Sequence, residues 1–81
     1  MVTHLDTIAS PTYLILARFR CGLAWVERDP ADCHWDETIR DIARGEWRDV
    51  VAVVELDLAH GSCRDMTGIA LARAAEVKEA A

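Results

Sequence analysis

The run RDVVAVVELDLA, Arg48 to Ala59, constrains the fold more than any other stretch of this chain. Four valines within it are stiff at χ1 and suit the pleated surface of a sheet. The turn-forming His60-Gly61-Ser62 follows it. A lone strand is unstable in water, so this one requires neighbouring strands and a covering layer. Strict alternation places Val50, Ala52, Val54, Leu56 and Leu58 on one continuous apolar face, suited to lie under helices. The opposite face is then Val51, Val53, Glu55 and Asp57.

Candidate neighbours stand upstream. TYLILARFR, Thr12 to Arg20, is rich in strand formers. It divides into Tyr13, Ile15, Ala17, Phe19 and Cys21 on one face and Leu14, Leu16, Arg18 and Arg20 on the other. Gly22 permits a turn, and LAWVER (Leu23 to Arg28) predicts an antiparallel second strand, ended by Asp29-Pro30 because proline cannot donate to a ladder.

Trp35, Ile39, Ile42, Ala43 and Trp47 recur at helical spacing and predict a helix from Cys33 to Arg44. Asp32 or Asp36 is expected to cap it, with Gly45 as the left-handed residue after its end. Beyond the third strand, Cys63 to Met66 forms a possible short edge strand. A last helix, capped by Asp65 or Thr67, runs through Ala70, Arg73, Ala74 and Val77. Residues 1–11 show no period and are expected to be a loose leader; residues 12–81 make one domain. The order ββαβ(β)α implies an α+β two-layer sandwich, with a small antiparallel-rich sheet of three to four strands and two helices on one face.

Composition narrows the function. The chain has 81 residues, which is room for one core, and a net charge of -5 from 14 acidic and 9 basic residues. Eight of those bases are arginine, and Asn and Gln are absent. Nucleic-acid recognition draws on clustered Lys and Arg for phosphate and on amides for adenine, so direct nucleic-acid binding is not expected. The longest uncharged run, Thr7 to Ala17, falls well short of the roughly 20 residues of a membrane helix, and no basic-then-apolar signal layout opens the chain. Three cysteines without a framework spacing fit a reduced, cytoplasmic setting.

Two constellations invite a chemical reading. Cys33-His34 and His60-x-x-Cys63 together supply two thiolates and two imidazoles, a set zinc accepts. Adjacent helix residues point about 100° apart, so Cys33 and His34 do not converge on one ion, and no metal or other cofactor is expected. Cys33 at a helix start could also be an activated thiol. A catalytic thiol needs a base and an oxyanion hole as well, and His34 is badly placed to be that base. No catalytic activity is expected.

The carboxylates remain. Asp36 with Arg40 has the favourable i, i+4 order, and Glu37–Arg40 and Asp41–Arg44 are weaker i, i+3 alternatives. Acids in a first helical turn also complement the helix dipole. Yet Glu27, Asp29, Asp32, Asp36, Glu37 and Asp41 stand within fifteen residues against only Arg28 and Arg40. These six are the candidate partner-binding residues: folded onto one edge, they would steer toward a Lys/Arg-lined protein surface. Trp25 and Trp47 are candidate anchors if exposed. A different route to a partner is the second sheet face, where Leu14, Leu16, Val51 and Val53 could join two copies as a homodimer.

GEWRDVVAVVELDLAHGSCRDMTGIALARAA, Gly45 to Ala75, resembles a strand, Gly turn, Asp-x-Thr and helix pattern of small proteins from high-GC bacteria and their phages. In size, acidity and ββαβα order the whole chain resembles the small phage-encoded anti-CRISPR inhibitors of the type I-like kind. That resemblance implies a non-enzymatic protein that binds a subunit of a CRISPR effector complex and covers its DNA-binding surface. It transfers no site residue to this chain. The alternatives are a homo-oligomeric accessory or structural protein and, behind it, a metal- or thiol-dependent enzyme.

Overall fold

The computed structural model describes residues 11–80, so the expected leader lies almost wholly outside the described residues. Strand β1 (Thr12–Phe19) turns at Arg20-Cys21 into β2 (Gly22–Trp25). A single 3-10 turn (Pro30–Asp32) leads into helix α1 (Trp35–Ala43), followed by β3 (Val50–Asp57), β4 (Ser62–Asp65) and helix α2 (Thr67–Ala80). The four strands form one antiparallel sheet in the order β2-β1-β3-β4. Both helices lie on one face, giving the expected α+β sandwich, and residues 62–65 do form the fourth strand.

Local chemistry sets most boundaries. Gly45 takes φ 77° just after α1, where a left-handed residue reverses the chain. The start of α1 differs from expectation. Its N-cap is His34, which makes no side-chain capping bond, and Asp29 caps the 3-10 turn instead by accepting from the Ala31 amide. Asp29-Pro30 creates a turn of its own, because proline sits well at a first helical position. Asp65 accepts the Thr67 amide at 3.0 Å and so caps α2.

The core joins Tyr13, Val53, Ile39, Ala70 and Ala74, with Trp35, Ile42, Val50, Met66 and Val77 packed around them. Tyr13 meets Trp35 edge-to-face at a centroid distance of 5.0 Å. Ala70 and Ala74 present so little side chain that α2 can approach α1 closely. Large apolar residues on other sides of α2, Ile69 and Leu71, remain exposed.

The covered face of β3 is the opposite of the one alternation predicts. Register pairs Tyr13 with Glu55 and Ile15 with Val53, and all four are buried beneath the helices. The register then slips: Leu16 faces Ala52, but Ala17 faces Val50, leaving Val51 as the extra residue of a β-bulge. The bulge changes the phase of the strand, so Val50 and Val53 both reach the core although three positions apart. Ala52, Val54 and Leu56, expected under the helices, instead point to the other side with Leu14 and Leu16.

Glu55 is tolerated in the core layer because it is fully engaged. Tyr13 Oη donates to its Oε2 at 2.7 Å and Arg64 Nε donates to its Oε1 at 2.9 Å. The hydrogen bonds from Arg64 and then Tyr13 hold the Glu55 carboxyl below its ordinary range. Burial, reinforced by the bond to Glu55, pushes the Tyr13 phenol up to about 12.

Candidate protein-binding site

Beyond β2 the chain passes Val26 to Asp32 along one side of α1 and builds an open depression of about 470 Å³. Six carboxylates line it, from Glu27, Asp29, Asp32, Glu37, Asp41 and Glu46, against two guanidiniums, from Arg28 and Arg44. Five of the six expected partner-binding residues are thereby brought together.

The floor of this depression is Arg28, whose side chain is only 6% exposed. Its Nη1 donates to the Asp32 carbonyl at 2.8 Å and to Thr38 Oγ1 at 3.1 Å, and its Nη2 donates to the Tyr13 carbonyl. The guanidinium carbon lies 5.8 Å from the centre of the Trp47 ring, within range of a cation–π contact. The nearest carboxylate recorded for Arg28 is Asp41, at 3.9 Å. Arg28 is thus a structural cation. It ties β1, the 3-10 turn and α1 together and offsets part of the surrounding negative charge, while its donors go mainly to neutral acceptors.

Asp36 departs from the expected group. Consecutive residues on a helix diverge by about 100°, so Glu37 and Asp41 share one face while Asp36 faces elsewhere. It lines a separate groove between the helices with Trp35, Ile39, Arg40, Arg73 and Val77. The recorded ion pairs of α1 are likewise Glu37–Arg40 and Asp41–Arg44.

Glu46 joins the site without having been expected there, and Trp47, a candidate anchor, lines the same depression. The signal for them was Gly45: its reversal returns the chain along the helix, and the Glu46 amide donates to the Asp41 carbonyl at 3.2 Å. Trp47, expected on the apolar stripe of the helix, is half-buried and covers Arg28. Trp25 is 54% exposed on the outer sheet face.

The cysteine–histidine constellations come apart. Cys33 is buried at the 3-10 turn with its thiol 3.6 Å from the Asp29 carbonyl, whereas Cys63 is exposed on the edge strand β4. His60 pairs with Asp57 at 2.9 Å in the β3–β4 turn, and that hydrogen bond holds the Asp57 carboxyl below its ordinary range. Among the described residues no three His, Cys, Asp or Glu side chains converge as a metal site. No described helix is long and apolar enough to cross a membrane. Comparison with family models, curated proteins and solved structures returns no match, so the functional reading rests on this geometry.

Proposed function

We propose that this chain is a non-catalytic binding protein whose acidic depression docks on a lysine- and arginine-lined protein surface. The observation that carries the reading is the gathering of Glu27, Asp29, Asp32, Glu37, Asp41 and Glu46 around one concavity. Helix capping and dipole effects account for acids in one turn. They do not account for carboxylates delivered from the end of the hairpin, the 3-10 turn, the helix and the segment after it. Such a surface raises the rate of encounter with a basic partner and disfavours acidic ones.

A basic surface that ordinarily holds DNA has the matching charge. The proposed action is therefore competition with DNA, as for the anti-CRISPR inhibitors the sequence resembles, with a CRISPR effector subunit as the first partner to test. The assay is DNA binding by a purified type I effector complex with this chain added in increasing amounts. Replacing Glu27, Asp32 and Glu37 together by Gln, Asn and Gln keeps volume and removes three charges. Rim charges of this kind contribute about 0.5–1 kcal/mol each, so the triple variant should inhibit about 10–100-fold less well. Asp36→Asn, outside the depression, should inhibit like the parent. Equal inhibition by parent and triple variant would overturn the assignment of this surface, and absence of inhibition by the parent would remove the effector as partner.

A further inference from the structure

The sheet has a second face, and it is largely apolar. Register against β1 sets Trp25, Leu16 and Ala52 side by side on one rung, with Leu14 and Val54 on the next and Leu56 beyond. Leu23 joins them opposite Arg18. Both helices pack on the other side, and among the described residues no element covers this one. Leu14, Leu16, Ala52, Val54 and Leu56 are half-buried at its centre, and Leu23 and Trp25 on the edge strand are 51% and 54% exposed.

Two central strands of eight residues and two edge strands of four, about 4.8 Å apart and rising about 3.3 Å per residue, make a face about 26 Å long at its centre and about 13 Å long at each edge. Its footprint of about 380 Å² lies within the range of the largest patch a soluble monomer leaves open. That is about half of the roughly 800 Å² per partner of a standard interface, so the contact it offers is a small one.

Charge selects the occupant. The whole chain carries -5, and the depression gathers six carboxylates on the helix side. The open face, by contrast, carries few charges among its aliphatic and aromatic side chains: Arg18, paired at its end with Asp49 at 3.1 Å, and Asp65. Two copies of an acidic protein repel one another through most of their surface and can approach closely only where the charge cancels. A basic partner, in turn, is drawn to the depression.

We propose that two copies stack through this face as a two-fold homodimer, sheet on sheet, with the helices outside. Paired sheets pack about 10 Å apart, and Trp25, at the rim of the patch, lies on the partner copy. The face corrects the one expected for a dimer. Leu14 and Leu16 belong to it, but Val53 is fully buried under the helices and Val51 is the bulge residue; Ala52, Val54, Leu56, Leu23 and Trp25 take their place. No residue of the acidic depression takes part, so the dimer stands or falls independently of the binding reading above.

The test is sedimentation equilibrium of the full chain from about 1 to about 500 µM, with Trp25→Glu and Leu23→Glu variants followed in parallel by circular dichroism. The expected result is a mass rising to twice the 9.0 kDa of one chain. Each variant should weaken association at least about 100-fold while keeping the parent's spectrum, since both side chains are half exposed before association. A parent that stays at 9.0 kDa throughout overturns the proposal, leaving the face to another occupant. A dimer that persists in both folded variants overturns it too, by placing the interface elsewhere. Should Trp25→Glu lose its fold, Leu23→Glu alone decides by the same criteria.

Discussion

Replacing Arg28 by Ala tests the structural core of the site. The guanidinium is almost completely enclosed and donates to the Tyr13 and Asp32 carbonyls and to Thr38 Oγ1. Thr38 is fully buried, so its hydroxyl has no route to water once the arginine is gone. Each buried acceptor stripped of its donor costs about 1–3 kcal/mol, and the contact with Trp47 adds about 0.5–1 kcal/mol. Because the Asp32 bond is exposed and the other two are only part-buried, each counts at the low end, and the sum is a loss of about 3.5–4 kcal/mol. A domain of 81 residues has about 4–12 kcal/mol in all. Arg28→Ala should therefore lower the urea midpoint steeply and the melting temperature by about 14–32 °C, or leave the chain unfolded at room temperature. Arg28→Lys keeps the charge but not the planar fork, and its single ammonium cannot serve all three acceptors; about half of the loss should remain. Asp41→Asn should cost much less, because Asp41 stands 3.9 Å from Arg28 and its closer contact is with Arg44 at the surface. Urea titration followed by circular dichroism measures all three. An Arg28→Ala protein destabilised by under about 1 kcal/mol would refute the assignment of Arg28 as the tie between strand, turn and helix.

Other outcomes follow from the same contacts. Thr67 Oγ1 accepts the Val53 amide at 2.9 Å, so Thr67→Val should cost about 1–2 kcal/mol by denaturant titration, whereas Thr67→Ser should be close to neutral. Gly45→Ala places a side chain at φ 77° and should cost about 1–2 kcal/mol, even though the surrounding space is open. On the acid side, Glu55, Asp57 and Asp65 have folded-state pKa values below their unfolded ones. Near and below pH 4 the unfolded chain binds more protons at these sites, so their contribution is present above the ordinary carboxylate range and lost as pH falls through it. Tyr13 acts in the opposite sense: raised from 10.0 to about 12, it contributes fully below pH 10 and loses that contribution as pH climbs toward 12. Melting temperature against pH reads both limbs, and Tyr13→Phe should flatten the alkaline one.

Element order was legible because its signals are local. The valines of β3, the apolar spacing of α1 and the left-handed Gly45 each act within a few residues. The acidic site was legible in part, since Glu27 to Asp41 form a dense run, and the helical period could have separated Asp36 from Glu37 and Asp41. Glu46 and Trp47 join the site only through the reversal at Gly45, a contact between the segment after the helix and the helix itself.

Three strands, two helices, a thin alanine stripe on α2 and a strongly acidic segment could be read from the residues alone, all consequences of short-range sterics and composition, while the fourth strand stayed open. Which side of β3 is buried was set by long-range packing. A strand offers two faces, and local polarity favoured Ala52, Val54 and Leu56 for the interior. The bulge at Val51 and the register against Tyr13 and Ile15 brought Val50, Val53 and Glu55 inward instead, with Tyr13 and Arg64 satisfying the buried carboxylate. The cost of that choice was removed by partners 42 and 9 residues away, which no local window of sequence contains. The same choice leaves the apolar side of the sheet facing outward.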